Sequence, residues 1–263
     1  MTISHSETNE QRDNCALHGR VAVVTGGSSG IGASCARLLA AHGASIVIGY
    51  HKGKDRAENL SNALPGTGHC AVPILLSGPT AEKSLDDLVE QLKRQHGRVD
   101  YLINSAGFTE RIPHTDVERL NPALFSEILL GNAAGTYAIT RALLPLLRDS
   151  GDAVVVNVSS VSAFTGSGSN IAYCAAKAAV DTMTQSFARS FGHGIRFLCV
   201  SPAAVDTDFV AGRARAEVQE KASKTPLGRV VTADDVADTV LACITHLRTA
   251  TGTRVIIDGG HLL

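Results

Sequence analysis

Short apolar runs recur along the chain at 21–24, 45–49, 71–76, 100–103, 153–158, 196–200 and 255–257. In runs such as Val21-Ala22-Val23-Val24 and Ala153-Val154-Val155-Val156 nearly every position is apolar. A strand with one wet face alternates apolar and polar residues; one without alternation is covered on both faces, as in a parallel sheet. Between the runs lie segments with helical character at 33–42, 57–64, 81–96, 122–147 and 236–247, and around Tyr173 and Lys177. In 81–96, Leu85, Leu88, Val89 and Leu92 fall on one side of a helix. Strands and helices alternate with no break in composition. This predicts an α/β fold, a doubly wound parallel sheet of about seven strands flanked by helices on both faces. The first 17 residues are polar, with neither an apolar stretch nor a basic start, and are expected to form a disordered tail before one domain at 18–263.

Composition narrows the function classes. A net charge of −1, the absence of tryptophan and an aromatic share of 4% argue against nucleic acid as a partner. No apolar run approaches the ~20 residues of a membrane span, so no membrane partner is expected. Cys15, Cys35, Cys70, Cys174, Cys199 and Cys243 are scattered without the paired spacing of a zinc or disulfide framework. They predict reduced thiols, a cytoplasmic protein and no metal site.

The strongest local signal follows the first strand. Thr25-Gly26-Gly27-Ser28-Ser29-Gly30-Ile31-Gly32 lies between a strand and a helix, the order that sets backbone N–H groups and a helix N-terminus against a pyrophosphate. Gly26, Gly30 and Gly32 would allow a tight turn and close approach. After the second strand come Tyr50, His51, Lys52 and Lys54, with no acid until Asp55. An NAD site usually has an acid there for the ribose hydroxyls, whereas these cations would attract an adenosine 2′-phosphate. NADP(H) is therefore favoured over NAD(H), the alternative being a plain solvated basic turn. Farther on, Gly131-Asn132-Ala133-Ala134-Gly135 interrupts a helical stretch, predicting a kink or a functional backbone. Tyr173 and Lys177, four residues apart, share one helix face. An ammonium fixed beside a phenol favours the phenolate. Residues 206–229 are charged and weakly patterned, as in a substrate lid.

Together these features resemble the classical short-chain dehydrogenase/reductase family, especially its bacterial 3-oxoacyl-reductase-like ketoreductases. The likeness runs from about Leu17 to the C-terminus. Thr25 to Gly32 resembles the family's Thr-Gly-x-x-x-Gly-x-Gly loop, Asn104-Ser105-Ala106-Gly107 its Asn-Asn-Ala-Gly turn, and Asn132 its helix asparagine. Ser160 stands 13 residues before Tyr173, and Pro202 to Thr207 resembles the Pro-Gly-x-x-x-Thr segment beside the nicotinamide. Ser105 and Ala203 depart from the pattern, and Leu75 occupies the place of an aspartate facing the adenine.

The resemblance implies a Rossmann-like fold and hydride transfer between a nicotinamide and a carbonyl or secondary alcohol. Tyr173 would be the general acid, Lys177 its pKa-tuning partner, Ser160 the polariser of the substrate oxygen, and Asn132 the holder of a relay water. Gly26, Ser28, Ser29, Gly30, Ile31, Gly32, Tyr50, His51, Lys52, Asn104, Ala106, Gly107, Pro202, Val205 and Thr207 would contact the cofactor, along with Tyr173 and Lys177. The rivals are an NAD-dependent dehydrogenase of a sugar or steroid-like alcohol and a non-catalytic dinucleotide-binding regulator. Substrate walls are expected at 161–169, after Gly107, at Ala204 and in the lid, with Phe108, Phe164 and Phe209 apolar and Glu110 and Arg111 polar. Small-residue faces at Ala133 to Gly135 and around Ala175 to Ala179, with the family habit, predict a homotetramer.

Overall fold

A computed structural model of the chain describes residues 17–263. Cys15 and the expected tail, except Leu17, lie outside the described residues. Leu17 belongs to the domain: it is buried, and its N–H donates to the His42 carbonyl at 3.0 Å.

The seven apolar runs form seven strands, β1 (Val21–Thr25), β2 (Ser45–Tyr50), β3 (Cys70–Pro73), β4 (Tyr101–Asn104), β5 (Ala153–Val158), β6 (Ile195–Pro202) and β7 (Thr253–Ile257). They make one parallel sheet of order β3-β2-β1-β4-β5-β6-β7. The helices are α1 (Gly30–Ala41), α2 (Lys54–Ala63), α3 (Ala81–Gln95), α4 (Pro122–Leu129), α5 (Gly135–Ser150), the short α6 (Ser162–Thr165), α7 (Ile171–Phe191), α8 (Arg215–Ser223) and α9 (Ala233–Thr245). Alternate strand residues feed two core layers. Ala22, Val24, Ile46, Ile48 and Val156 meet Leu39 of α1 and Val236 and Val240 of α9. Val21, Val23, Val47 and Val155 meet Leu88 of α3, Leu143 of α5 and Phe187 of α7. A strand serving both layers needs an apolar side chain at every position, and this explains the missing alternation.

Most boundaries shift by one to three residues, and two differences bear on the cleft. β3 stops at Pro73, so Leu75 and Leu76 lie beyond the strand; proline has no N–H to extend the ladder. The break in the long helix is a π-helical turn at Leu130–Ala134 joining α4 to α5. Such turns insert an extra residue into a helix and often occur at functional sites.

The order reverses between β1 and β4, whose registers pair Thr25 with Asn104. In open α/β sheets the crevice beyond the carboxyl ends of the strands at such a point receives ligands.

Candidate active site

A cleft of about 1310 Å³ opens there. It exceeds the 300–1,000 Å³ usual for a small-ligand pocket, leaving room for a dinucleotide beside a second molecule.

The first loop is shaped by contacts that exclude side chains. Gly26 has φ +63°, and a Cβ on it would come within 2.9 Å of the Ala106 Cα. A Cβ on Gly32 would collide with the Gly26 carbonyl oxygen. The Thr25 hydroxyl accepts from the N–H groups of Ser105 and Ala106 at 3.1 and 3.0 Å, tying the turns after β1 and β4 together. A glycine loop packed against a second turn, with the N-terminus of α1 open to the cleft, fits a pyrophosphate.

Most of the predicted contact residues line this cleft: Gly26, Ser28, Ser29, Gly30, Ile31, Tyr50, His51, Lys52, Ala106, Gly107, Pro202, Val205 and Thr207, together with Ser160, Tyr173 and Lys177. Gly32, Asn104 and Asn132 stand behind the wall instead. Gly32 serves the close contact just described. The Asn104 amide donates to Asn157 Oδ1 at 2.8 Å and Thr140 Oγ1 at 3.2 Å, bracing β4 against β5 and α5. Asn132 Nδ2 donates to the carbonyls of Phe108 and Ile128, both at 2.8 Å, and its Oδ1 sits where a side chain on Gly107 would lie. Phe164 and Glu110 also fall outside the cleft lining. Phe164 lies under the Arg254 guanidinium, 4.7 Å from its ring centre, and Glu110 pairs with Arg119 at 3.7 Å.

Ser160 follows β5 directly, and its Oγ accepts from the Ser162 N–H at 3.1 Å. Tyr173 sits in the first turn of α7, whose N-cap Asn170 accepts from the Tyr173 N–H at 2.8 Å. The Asn170 amide also donates to Thr109 Oγ1 and the Glu110 carbonyl, so one buried side chain sets both the helix start and the segment after Gly107. Lys177, one turn on, donates from Nζ to the Val158 carbonyl at 2.7 Å and lies 5.6 Å from the Tyr173 ring centre. Ser160, Tyr173 and Lys177 thus meet on one wall.

Burial governs the ionisation of this wall. It pushes the Tyr173 phenol well above its ordinary value, with a hydrogen bond from Ser160 and the field of Arg213 acting the other way. It lowers Lys177 to about 8, against the raising fields of Cys199 and Asp181. Ser160 and Arg213 therefore act toward the phenolate, against the burial that opposes it.

Sequence reasoning missed several residues. Arg37 of α1 and Arg56 of α2 line the end of the cleft beside β2 with His51 and Lys52. Both side chains are exposed, and it is the fold that brings α1 and α2 to the same end of the cleft. Asn170 could have been found: an asparagine three residues before Tyr173 is an N-cap signal.

Comparison with known proteins decides the family. A family model described as enoyl-(acyl carrier protein) reductase matches residues 26–261. The chain belongs to the classical short-chain dehydrogenases/reductases. It is 35% identical over 250 residues to a Streptomyces violaceoruber protein named for a ketoacyl reductase of the granaticin polyketide synthase, covering 92% of this chain and 96% of the relative. It is 32% identical to the cis-4-hydroxycyclohexanecarboxylate dehydrogenase of Sinomonas cyclohexanicum, with the same two coverages. A solved Burkholderia xenovorans structure assigned to the short-chain dehydrogenases/reductases superposes with a TM-score of 0.84 at 31% identity, covering 92% of this chain and 98% of that one. As a member of the family, the protein is an oxidoreductase of the alcohol/carbonyl pair, and its cofactor class is NAD(P). Among the described residues no helix is long and apolar enough to cross a membrane.

Proposed function

We propose that the protein is an NADP(H)-dependent ketoreductase in which Ser160, Tyr173, Lys177 and Asn132 carry the proton chemistry. The observation behind this reading is the meeting of Ser160, Tyr173 and Lys177 on one cleft wall opposite the glycine loop. When bound, the nicotinamide supplies or accepts the hydride.

Ser160 Oγ would hold and polarise the substrate oxygen. Tyr173 would donate its phenolic proton to that oxygen in reduction and accept it in oxidation. Burial keeps the phenol protonated, as a donor requires, while Ser160 and Arg213 temper the cost of the phenolate that remains. Lys177, shared between the Val158 carbonyl and the cleft, would hold the nicotinamide ribose and pass a proton back to Tyr173. Asn132, one layer behind, would offer its unpartnered Oδ1 to a relay toward solvent.

For the cofactor's second phosphate, Arg37, His51, Lys52 and Arg56 gather at the end of β2, where Tyr50 replaces an acid. Arginine forks and a lysine ammonium suit phosphate better than neutral ribose hydroxyls. The pyrophosphate would lie against Gly26, Ser28, Ser29, Gly30 and Ile31, and the nicotinamide against Pro202, Val205 and Thr207. A homotetramer in the cytoplasm accords with the exposed Leu130 and Tyr137 on the π turn and α5 and with free cysteines at the five described positions.

Fluorescence titration of the wild type and Tyr173→Phe with NADPH and NADH, beside carbonyl reduction, tests this reading. NADPH should bind at least about tenfold more tightly than NADH, in line with a charge-assisted hydrogen bond. Tyr173→Phe should keep that affinity and lose about 10²- to 10⁴-fold in turnover. Preference for NADH would refute the cofactor assignment, and unchanged turnover would refute the role of Tyr173.

A further inference from the structure

Arg213 lies half-buried on the cleft wall between β6 and α8. Its Nη2 donates to the Val205 carbonyl at 2.5 Å, and no carboxylate pairs with it among the described residues. A guanidinium carries five N–H donors in a planar fork, so most of its capacity is unused. Two carboxylates reach it with their fields, but both are engaged elsewhere. Asp206 faces Arg215 at 3.4 Å. Glu217 takes both contacts of the Arg111 fork, at 3.1 and 3.0 Å.

The surroundings make a cation expensive at this point. Burial is the main influence on Arg213 and lowers its pKa. Arg213 is also the cation whose field reaches Tyr173, and Phe209 packs 5.9 Å from the Tyr173 ring on the same side. A half-buried arginine with idle donors, next to the phenol that faces the reacting oxygen, lacks an anion. Carboxylate and phosphate both match its fork.

We propose that Arg213 binds an anionic group of the substrate, so that the preferred substrates are oxo acids, or the matching hydroxy acids, whose charge lies a few atoms from the reacting carbon. This rests on the reading of Tyr173 as the proton donor. Arg111 and Glu217 close on each other at the rim and leave Arg213 as a guanidinium without a carboxylate partner on the cleft wall. A cofactor phosphate is the competing anion, and it is separable because it does not depend on which ketone is offered.

Acetoacetate, 4-oxopentanoate and 6-oxoheptanoate, each beside its methyl ester, would be reduced by the wild type, Arg213→Lys and Arg213→Met, with cofactor affinity measured on each protein. The wild type should favour an acid over its ester in kcat/KM. Arg213→Met should lower that ratio by about 10- to 100-fold, the worth of a charge-assisted hydrogen bond, and Arg213→Lys should retain part of it. Esters reduced as well as acids by the wild type would overturn the assignment while leaving the ketoreductase reading intact. So would an Arg213→Met ratio equal to that of the wild type, or a loss confined to cofactor affinity. If no probe turns over, titration of the wild-type cofactor complex with the same acids decides: saturable binding abolished in Arg213→Met supports the assignment, and absence of binding overturns it.

Discussion

The two ends of the same parallel strands bury polar groups in different ways. At the amino end, Asp100 precedes β4 with none of its side chain exposed. Its carboxylate accepts from Arg20 Nη1 at 2.7 Å, the Val21 N–H at 2.8 Å and Ser150 Oγ at 2.7 Å, and Arg98 Nε approaches to 3.3 Å. At the carboxyl end, Asn104 Oδ1, Asn132 Oδ1 and Ser201 Oγ are buried without a hydrogen-bond partner among the described residues, and Lys177 Nζ has one acceptor. Saturated polar clusters fix a fold; unsaturated ones cost stability and persist where a ligand or a proton path uses them. The amino end is built to hold, and the carboxyl end to act.

The sharpest way to break this contrast is Asp100→Ala. It would strand Arg20, Ser150 and the Val21 N–H at once, and removal of one partner from a buried ionic cluster costs about 3–5 kcal/mol. Urea denaturation should show that loss, while kcat/KM of the folded fraction stays close to wild type. A loss below about 1 kcal/mol would mean that Asp100 does not anchor the amino end.

Asp181 offers a counterpart near the cleft. It is also buried, but its partners are Ser159 Oγ at 2.5 Å and Arg254 Nη1 at 3.2 Å. Arg254 is one-third exposed and lies over Phe164. Arg254→Met should remove the ion pair from the buried Asp181 Oδ2, which accepts no hydrogen bond among the described residues. Because Arg254 is itself partly in water, a loss of about 1–3 kcal/mol is expected in the same urea assay. A loss equal to that of Asp100→Ala would erase the distinction between the two buried aspartates.

The same asymmetry explains what was legible in the sequence. The seven strands could be read because a core on both faces demands apolar residues without alternation, as in Val154, Val155 and Val156. The pairing of Tyr173 with Lys177 could be read because helical spacing is local. The break at Gly131 to Gly135 was visible as a local conflict, although its π geometry was not. Which motif residues face the cleft was not legible. Asn104, Asn132 and Gly32 belong to the motif but support it from behind, because a side chain's direction depends on partners such as Asn157 and Phe108, 53 and 24 residues away. Arg37, Arg56 and Arg213 were missed for the converse reason: no local pattern marks them, and only the closed fold brings them to the cleft.

Lys177 yields the smallest predicted stability change, with the opposite sign. Its pKa falls from roughly 10.4 in an unfolded chain to about 8 in the fold. Below pH 8 both states are protonated, so the fold bears the whole cost of a buried cation, about 3 kcal/mol. Between about 8 and 10.4 the unfolded chain binds more protons than the native one, and wild-type stability should rise with pH across that window. Lys177→Met removes the buried cation but leaves the Val158 carbonyl without its donor, a loss of about 1–3 kcal/mol. At pH 7 the variant should therefore be as stable as the wild type or up to about 2 kcal/mol more stable, while losing carbonyl reduction. On moving to pH 10 the wild type should gain on the variant. A variant clearly less stable at pH 7, with a gap that does not change with pH, would show that Lys177 is held as comfortably as Asp100 and that the carboxyl end stores no such cost.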